Sequence, residues 1–465
     1  MNCKHLLTLI TGLIECMFFA GITFGWASLV FVLKNEKYFQ DLCPASGNQS
    51  INATDSCPEQ DEQFSIIFTV AAFLNNFMTL PCGFIYDKFG TLTSRLLAIS
   101  IFTAATLFIA LSNADIAVIL FPALPLLTTG GILLMMTNIQ VGNLFGSYRS
   151  TVITFYNGAF DSSSVVFLIV KVLYQNGVSL RATFICITCC CVWHIIRTLF
   201  FMPKAFIPYP LPEGYSYGLH CTKCNEAKFL DSTPSNGGEG SGTQEREASG
   251  SSFWRCARSS LFIFHFVWLS FMQLRHYMFI ATLNPTLTRL SGGDPEIVSY
   301  YTNVFALSQC CGILCAPWNG IIIDRQKRKQ NVSDSLADLK SCVVSLALTA
   351  TQCMLFSISA TLPMLPALYA TFILQVLNRS FLYGGNATFL SIAFPAQHFG
   401  KLFGLMMSLS ALVLVFQYPT FYIIRTYLHG DPFYVNIALL ILGILAFIHP
   451  INVLRVCRKK DISKE

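Results

Sequence analysis

The sequence is short of charge. Only 12% of its 465 residues are Asp, Glu, Lys or Arg, whereas a soluble domain carries roughly a quarter. The mean hydropathy is +0.56. These values exclude an ordinary soluble domain and indicate a membrane protein, in which lipid replaces water around most of the surface. The net charge of +6 does not indicate nucleic-acid binding, because the basic residues cluster at the ends of apolar runs.

The sequence also lacks the motifs of a membrane enzyme or a metalloprotein. It has no H-x-x-x-H pair, the spacing by which two His on one helix face hold a catalytic zinc. The CxxC formed by Cys221 and Cys224 has no second ligand pair nearby with which to hold zinc. We therefore predict that the protein is not an enzyme and that it holds neither a metal nor a cofactor.

Long apolar runs are abundant instead. Twelve of them are long enough to cross about 30 Å of hydrocarbon as helices, the structure that satisfies backbone polar groups within each segment. We predict spans at 5–33, 63–85, 94–112, 115–141, 150–176, 181–202, 259–283, 297–323, 341–361, 363–390, 402–424 and 432–454. The predicted fold class is thus an all-α membrane protein with twelve transmembrane helices in two six-helix halves.

One break divides these halves. Residues 203–258 hold a proline-rich stretch and then a stretch rich in Gly, Ser and Glu, a composition that cannot build a core. We predict a mobile cytoplasmic linker here. It would join an N-terminal half, 1–202, to a C-terminal half with a cytoplasmic tail, 259–465.

The basic residues predict the orientation. With the N-terminus inside, the inside segments hold 21 of the 30 Lys and Arg residues and the outside segments hold five. By the positive-inside rule, both termini are cytoplasmic. The outer loop 34–62 then contains sequons at Asn48 and Asn52, as glycosylation on the lumenal side requires. In that oxidising compartment, Cys43 and Cys57 are predicted to form a disulfide.

Two charged stretches occupy equivalent places in the halves. "GFIYDKFGTLTSR" (83–95) joins the second and third predicted spans, and "GIIIDRQKR" (320–328) joins the eighth and ninth. In each, Gly precedes Asp by four residues and basic residues follow. A weaker echo, "LFGSYR" before the fifth span and "HFGKLFG" before the eleventh, also indicates duplication.

The spacing within these stretches indicates a role. Gly lets another helix approach closely, and Asp at a helix end accepts hydrogen bonds from backbone N–H groups or an Arg of a neighbour. We predict a cytoplasmic latch that is made and broken as the halves rock; the alternative is a simple topogenic cluster of charges. The predicted latch residues are Gly83, Asp87, Arg95, Gly320, Asp324 and Arg328.

The G-x-x-x-D pattern with trailing basic residues resembles the signature loop of the major facilitator superfamily. This resemblance covers the whole chain, with its twelve predicted helices, central cytoplasmic loop and paired motifs. At a closer level, "GFIYDKFGTLTSR", "NLFGSYRSTVITFYNGAFDSSS" and "LRHYMFIATLNPTL" resemble the solute carrier 43 family. The resemblance implies a sodium-independent facilitator at the plasma membrane. Its cargo would be purine nucleobases such as adenine, guanine and hypoxanthine, moved downhill by alternating access. Facilitation of large neutral amino acids and proton-coupled symport remain alternatives, and we expect a monomer surrounded by lipid.

Polar side chains inside the apolar runs are candidates for the substrate site, since transporters of this architecture bind their cargo near the bilayer midplane. Glu15 and Phe19 share a face of the first span. Asn157, Asp161 and Ser164 share a face of the fifth. The remaining candidates are Gln273, Tyr277, Gln309, Gln375 and Arg379. Together they offer aromatic faces for stacking and amide or carboxylate groups for the edge of a purine.

Glu15 and Asp161 also have other possible roles. Each is a candidate for a structural ion pair with Arg275 or Arg379, and each would couple transport to protons if burial raised its affinity for them. An amino-acid site would have to hold a carboxylate and an ammonium together, which these residues do not exclude.

Overall fold

The structure is a computed structural model. It describes residues 3–43, 58–218, 252–292, 294–329, 335–428 and 431–462. Every regular element within these ranges is helical, so the predicted all-α class is confirmed for the described part of the chain. Cys43 is disulfide-bonded. Asn48, Asn52 and Cys57 lie outside the described residues, so the predicted pairing and glycosylation stay predictions.

The described part of the N-terminal half is built from nine α-helices. They are α1 (Cys3–Glu15), α2 (Trp26–Asn35), α3 (Pro58–Phe77), α4 (Thr79–Leu111), α5 (Leu120–Ile139), α6 (Arg149–Ser162), α7 (Val165–Gln175), α8 (Leu180–Cys189) and α9 (Cys191–Phe201). A π-helical turn, Cys16–Ala20, follows α1, and short 3₁₀ segments lie at Ile22–Gly25, Gln40–Leu42, Ala117–Ile119 and Gln140–Tyr148.

The described part of the C-terminal half continues the numbering. Its helices are α10 (Phe253–Ala257), α11 (Ser260–Leu290), α12 (Pro295–Cys310), α13 (Gly312–Lys329), α14 (Ser335–Thr361), α15 (Ala367–Ala393), α16 (Phe399–Leu414), α17 (Gln417–Thr426), α18 (Phe433–Ile444) and α19 (Ile448–Ile462). Two 3₁₀ turns, Ala396–His398 and Leu445–Phe447, precede α16 and α19.

Six helical runs in the described residues are long and apolar enough to cross a membrane, or seven if one bent pair counts as a single span. Two of these runs, Glu62–Leu111 and Ala117–Gln175, contain 50 and 59 residues. At 1.5 Å per residue, a 50-residue helix would be about 75 Å long, more than twice the thickness of the hydrocarbon core. Each of these two runs is therefore long enough for more than one crossing.

Several spans that the sequence predicts as continuous are interrupted. The first is broken at Gly21, where φ is −121° and ψ is 24°. The fifth is broken between Ser162 and Val165, and the eighth bends by 43° at the break between α12 and α13. A Cβ on Gly21 would overlap the carbonyl oxygen of Phe160, so the first and fifth spans pack backbone against backbone close to their breaks.

Within the described residues, the two halves share a large buried core at one end of the bundle. A large buried cluster contains Met136 and Tyr156 from the N-terminal half together with Leu402 and Met406 from the C-terminal half. Toward the other end, one cluster contains described residues of the N-terminal half alone and another those of the C-terminal half alone. The shared core lies at the end that carries Lys88, Lys204, Lys327 and Lys401, called the basic face below.

The beginning of the linker is ordered, contrary to the prediction that 203–258 is mobile throughout. Residues 203–218, called the strap below, cross the basic face. The backbone N–H groups of Thr91 and Leu92 donate to strap carbonyls at 3.1 Å, and Gln140 and Asn143 bond both backbone groups of Ile207. The proline-rich composition misled the prediction because this segment buries Ile207 and Tyr217 against the helices rather than building a core of its own.

Candidate functional site

A cavity lies between the halves. The N-terminal half contributes Phe24, Asn75, Asn76, Thr79, Ile132, Met135, Met136, Asn157, Phe160 and Asp161, and the C-terminal half contributes Tyr277, Arg379, Tyr383, Phe403 and Met407. A neighbouring cavity shares Phe24, Asp161, Tyr277, Arg379 and Tyr383 with it. Both halves therefore line one divided central site.

Asp161 and Arg379 form an ion pair between the halves at the boundary of the two cavities. Asp161 Oδ1 lies 3.3 Å from Arg379 Nη2. Asp161 Oδ2 and Arg379 Nε are both buried and make no hydrogen bond to the part of the chain that the structure describes. The pair is nearly neutral as a unit, but it leaves one acceptor and one donor without a protein partner.

Aromatic rings surround the guanidinium of this pair. The ring of Phe24 lies 5.3 Å from the Arg379 guanidinium carbon, and that of Tyr383 lies 5.8 Å from it. Phe24 also makes an edge-to-face contact with Phe160, with ring centroids 5.8 Å apart. The rings supply apolar faces and cation–π stabilisation beside a group that would otherwise be costly to bury.

Amide and hydroxyl groups complete the lining of the cavity. Asn76 Nδ2 lies 3.4 Å from Tyr277 Oη and donates to it, which links the halves. Asn157 also lines the cavity, and its Nδ2 donates to the Ile153 carbonyl at 2.9 Å. An amide can both donate and accept, which suits a ligand whose edge alternates donors and acceptors.

The structure brings six of the ten predicted substrate-site residues to these cavities. Asn157, Asp161, Tyr277 and Arg379 line the first, and Ser164 and Gln309 line the second. Gln309 Nε2 also donates to Gln375 Oε1 at 2.8 Å, so Gln375 lies one residue behind the wall. Gln273 is fully buried and does not line either cavity.

Glu15 is placed elsewhere, which corrects its predicted role in the substrate site. It is fully buried among four partners in the N-terminal half. Arg95 donates to its carboxylate at 2.9 and 2.5 Å, Arg197 and His194 lie 2.8 Å from it, and Asn138 donates at 2.7 Å. Its carboxylate is saturated by these partners, and its ion-pair partners are not Arg275 or Arg379.

Two further predictions change with this cluster. Arg95 is fully buried against Glu15 and donates to Thr198 at 2.8 Å, so it belongs to the cluster and not to the latch. The Phe19 ring packs edge-on against His194, with centroids 4.5 Å apart, and lines neither central cavity. Helical spacing placed Glu15 and Phe19 on one face correctly, but that face meets the other helices of its own half.

Sequence reasoning missed several residues of the cavity. Asn75 and Asn76 stand side by side in the second predicted span, and two adjacent amides in an apolar run were an available signal. Phe403, Met135 and Met407 carried no such signal, because an apolar residue that faces a cavity has the same sequence pattern as one that faces lipid.

The latch residues of the first half meet the second half directly. Asp87 Oδ1 accepts from the backbone N–H of Gly400 at 2.9 Å, and Oδ2 accepts from that of Lys401 at 2.8 Å. Gly400 and Lys401 lie in the first turn of α16. A Cβ on Gly83 would overlap the Gly400 carbonyl, so only Gly permits this approach.

The second half repeats the arrangement in reverse. Asp324 accepts from the backbone N–H groups of Ser150 and Thr151, at 3.2 and 2.9 Å, and from the Thr151 hydroxyl at 2.7 Å. Ser150 and Thr151 lie in the first turn of α6. A Cβ on Gly320 would overlap the backbone of Thr151. Arg328 is exposed and its guanidinium carbon lies 4.2 Å from the ring of Tyr148.

The arrangement is a pair of matched interfaces around a central cavity, which is the architecture of a two-half membrane transporter. The structure resembles a solved bacterial homologue of the iron transporter ferroportin in its outward-facing state, with a TM-score of 0.56, 12% identity, and coverage of 98% of this chain and 100% of that one. At this identity the likeness shows the fold alone.

The sequence comparisons identify the family. The chain is 50% identical to equilibrative nucleobase transporter 1 of Bos taurus over 484 residues, which covers 98% of this chain and 97% of the relative. It is 27% identical to large neutral amino acids transporter small subunit 3 of Homo sapiens, over 95% of this chain and 91% of the relative. No family model matches. The chain belongs to the solute carrier 43 family, and it is a transporter and not an enzyme.

Proposed function

We propose that the protein is a facilitative, sodium-independent transporter of purine nucleobases, such as adenine, guanine and hypoxanthine, that works by alternating access. The relative at 50% identity is an equilibrative nucleobase transporter by name, and the alignment covers nearly all of both chains. The central cavity supplies the chemistry for that cargo. The observation that carries the proposal is the Asp161–Arg379 pair between the halves, with one acceptor and one donor left over.

The charge of the cavity favours a neutral cargo. Its carboxylate and its guanidinium are 3.3 Å apart and compensate one another. A free amino acid would need its ammonium and carboxylate bound by separate charges, and these two would have to be pulled apart first. A nucleobase needs only donors and acceptors, which Asp161 Oδ2, Arg379 Nε and the amide of Asn157 offer.

The walls of the cavity favour a flat cargo. Phe24, Phe160 and Tyr383 face the space beside the pair, and stacking of a base on an aromatic ring contributes roughly 1–3 kcal/mol. Methionines 135, 136 and 407 add polarisable, adaptable surface. In the bound state we place the purine plane against these rings, with its polar edge toward Asp161 and Arg379.

Transport then requires the contacts that close one face of the bundle to break and the opposite face to close. The described contacts close the basic face through the shared core and the two Asp latches, while the opposite ends of the halves keep separate cores. We assign this arrangement to the outward-facing state. Because Asp161 and Arg379 belong to different halves, cargo bound between them is well placed to promote closure of the outer side and release of the latches.

We place the chain in the plasma membrane as a monomer, with twelve crossings and both termini in the cytoplasm. The basic face is then cytoplasmic, as the positive-inside rule requires. Each of the twelve predicted spans falls largely on helical segments, and the two longest apolar runs are long enough for more than one crossing each. The outer loop with Asn48 and Asn52 then faces the exterior.

The test is uptake of radiolabelled adenine into proteoliposomes that contain the purified full chain. We expect saturable uptake that excess hypoxanthine inhibits, that excess leucine leaves unchanged, and that persists without a sodium or proton gradient. Uptake of leucine in place of adenine would overturn the cargo. Accumulation of adenine driven by an imposed proton gradient would replace facilitation by symport, with Asp161 as the first carboxylate to examine.

A further inference from the structure

A third cavity lies at the basic face, and none of its lining residues lines the two central cavities. The N-terminal half contributes Arg149 and Tyr86 to it, and the C-terminal half contributes Ala396 and Phe399. The strap forms part of its wall through Phe206 and its neighbours. The cavity therefore exists between three parts of the chain that come together when the basic face is closed.

Arg149 is the charged residue of this cavity that still has a hydrogen-bond donor to offer a ligand. Only 8% of the residue is exposed. Its Nε donates to Asn143 Oδ1 at 2.7 Å and its Nη2 donates to the Ser391 carbonyl at 3.2 Å. Within the described residues, Nη1 has no hydrogen-bond partner and no carboxylate lies within 4 Å of the guanidinium.

The one carboxylate that lines the cavity does not compete for this guanidinium. Both oxygens of Asp87 are already bonded to the backbone N–H groups of Gly400 and Lys401. The remaining walls are mostly apolar and aromatic, with Tyr86, Phe206 and Phe399 among them. The Arg149 guanidinium carbon lies 4.2 Å from the ring of Tyr209 in the strap, a contact that leaves its N–H groups free to donate in the guanidinium plane. A guanidinium without a bonded carboxylate, at the edge of an aromatic chamber, suits a ligand with a flat apolar body and a single negative charge.

We propose that this cavity is a regulatory site for small aromatic carboxylates, which enter from the basic face and hold that face closed. The carboxylate binds Nη1 of Arg149, and the ring lies among Tyr86, Phe206 and Phe399. The ligand contacts both halves and the strap at once, so it binds the closed basic face more tightly than the open one. It therefore slows transport without competing with cargo. This inhibitory effect, unlike the binding, rests on the proposed transport cycle.

Binding is tested first, on the purified full chain, with two probes that share a body and differ in charge. Calorimetric titration compares 2-naphthoate with neutral 2-naphthamide. We expect the naphthoate to bind at least about ten-fold more tightly, as one charge-assisted hydrogen bond allows. Equal affinity for the two probes, or no binding of naphthoate, would overturn the proposal, and neither result depends on whether the protein carries adenine.

Two variants place the site. Arg149→Gln removes the charge and is expected to lower the affinity for naphthoate about ten-fold while leaving that for the amide unchanged. Ala396→Trp fills the cavity from an exposed turn and is expected to abolish binding of both. Melting curves confirm that each variant is folded. If Arg149→Gln does not fold, Ala396→Trp carries the test, and naphthoate binding to it at wild-type affinity refutes the location.

The effect on transport is measured in proteoliposomes with the chain in a known orientation. Naphthoate on the basic-face side is expected to lower the maximal rate of adenine uptake and to leave the KM unchanged, whereas naphthoate on the other side has no effect. An increase in KM with an unchanged maximal rate would mean that the anion occupies the central site, and that result refutes the separate regulatory site.

Discussion

Asp87 and Asp324 hold equivalent positions in the two halves, and each accepts hydrogen bonds from the first backbone N–H groups of a helix in the opposite half. The two helix starts are themselves related, since α6 begins at the last residue of "LFGSYR" and α16 begins within the similar stretch "HFGKLFG". These bonds exist only while the basic ends of the halves touch. They therefore stabilise the closed basic face specifically.

Replacing Asp87 by Asn should open the basic face more often. The substitution keeps the shape but removes the charge that the start of α16 stabilises, an effect of about 1 kcal/mol or about five-fold in the equilibrium. We expect about five-fold faster alkylation of Ser391→Cys, which lines the basic-face cavity, read by peptide mass spectrometry. Asp115→Asn, at an exposed position away from the latch, is the control, and equal rates in both variants would contradict the latch.

Gly83→Ala should have a larger effect than a matched change at another helical glycine. A Cβ at Gly83 would overlap the backbone of Gly400, which cannot move aside without separating the halves. At Gly312 the nearest atom to a Cβ is 3.5 Å away, an ordinary contact. We expect Gly83→Ala to lower the maximal rate of adenine uptake several-fold, with Gly312→Ala near wild type. Equal rates in the two variants would show that close approach is not required.

Single changes to the central pair should abolish uptake, and the double change should separate two explanations. Asp161→Asn or Arg379→Gln leaves the other charge buried and unpaired, at a cost of about 3–5 kcal/mol. Asp161→Asn/Arg379→Gln removes both charges, so we expect the melting temperature to recover while adenine uptake stays absent. Recovery of uptake in the double variant would mean that the pair is structural and does not contact the cargo.

Glu15→Gln should destabilise the protein rather than change its affinity for cargo. The fully buried carboxylate compensates Arg95 and Arg197, so its loss leaves two buried cations without a counter-charge. We expect a loss of about 3–5 kcal/mol, seen as poor yield and a lower melting temperature. The KM for adenine of the folded fraction should not change. Glu36→Gln, at an exposed position, should match wild type, and a raised KM in Glu15→Gln would return Glu15 to the substrate site.

The predicted orientation can be read from glycosylation. If the loop 34–62 faces the exterior, expression in mammalian cells should give a product that shifts on a gel after treatment with an N-glycosidase. Asn48→Gln and Asn52→Gln should each give an intermediate mobility, and the double variant should not shift. Persistence of the shift in the double variant would place the glycan, and with it the orientation, elsewhere.

The latch shows what spacing alone could predict. Asp87 and Asp324 were identifiable because Gly, Asp and basic residues recur at one spacing in an otherwise apolar chain. Arg95 was misassigned to the same group because it follows Asp87 closely in sequence. In the structure it turns into the interior of its own half and bonds Glu15.

The candidate substrate site was predictable only in part, for a related reason. Helical periodicity assigns residues such as Asn157 and Asp161 to one face, but it does not say which helix that face meets. Glu15 meets side chains from α4, α5 and α9, and no local pattern connects those helices. The apolar lining of the cavity, such as Phe403, depends on the same long-range packing.

The strap also bears on how the chain can be divided. Its carbonyls and Tyr217 bond Thr91, Leu92, Asn143 and Thr8, all in the N-terminal half, while Lys327 of the C-terminal half donates to Tyr209 at 2.9 Å. A polypeptide that ends after residue 218 would thus keep the strap that packs on its basic face. A separately synthesised partner would still find Tyr209 as a docking point. Two such fragments should reassemble in one membrane. A cut before residue 203 would instead separate the strap from the N-terminal half to which it is bonded.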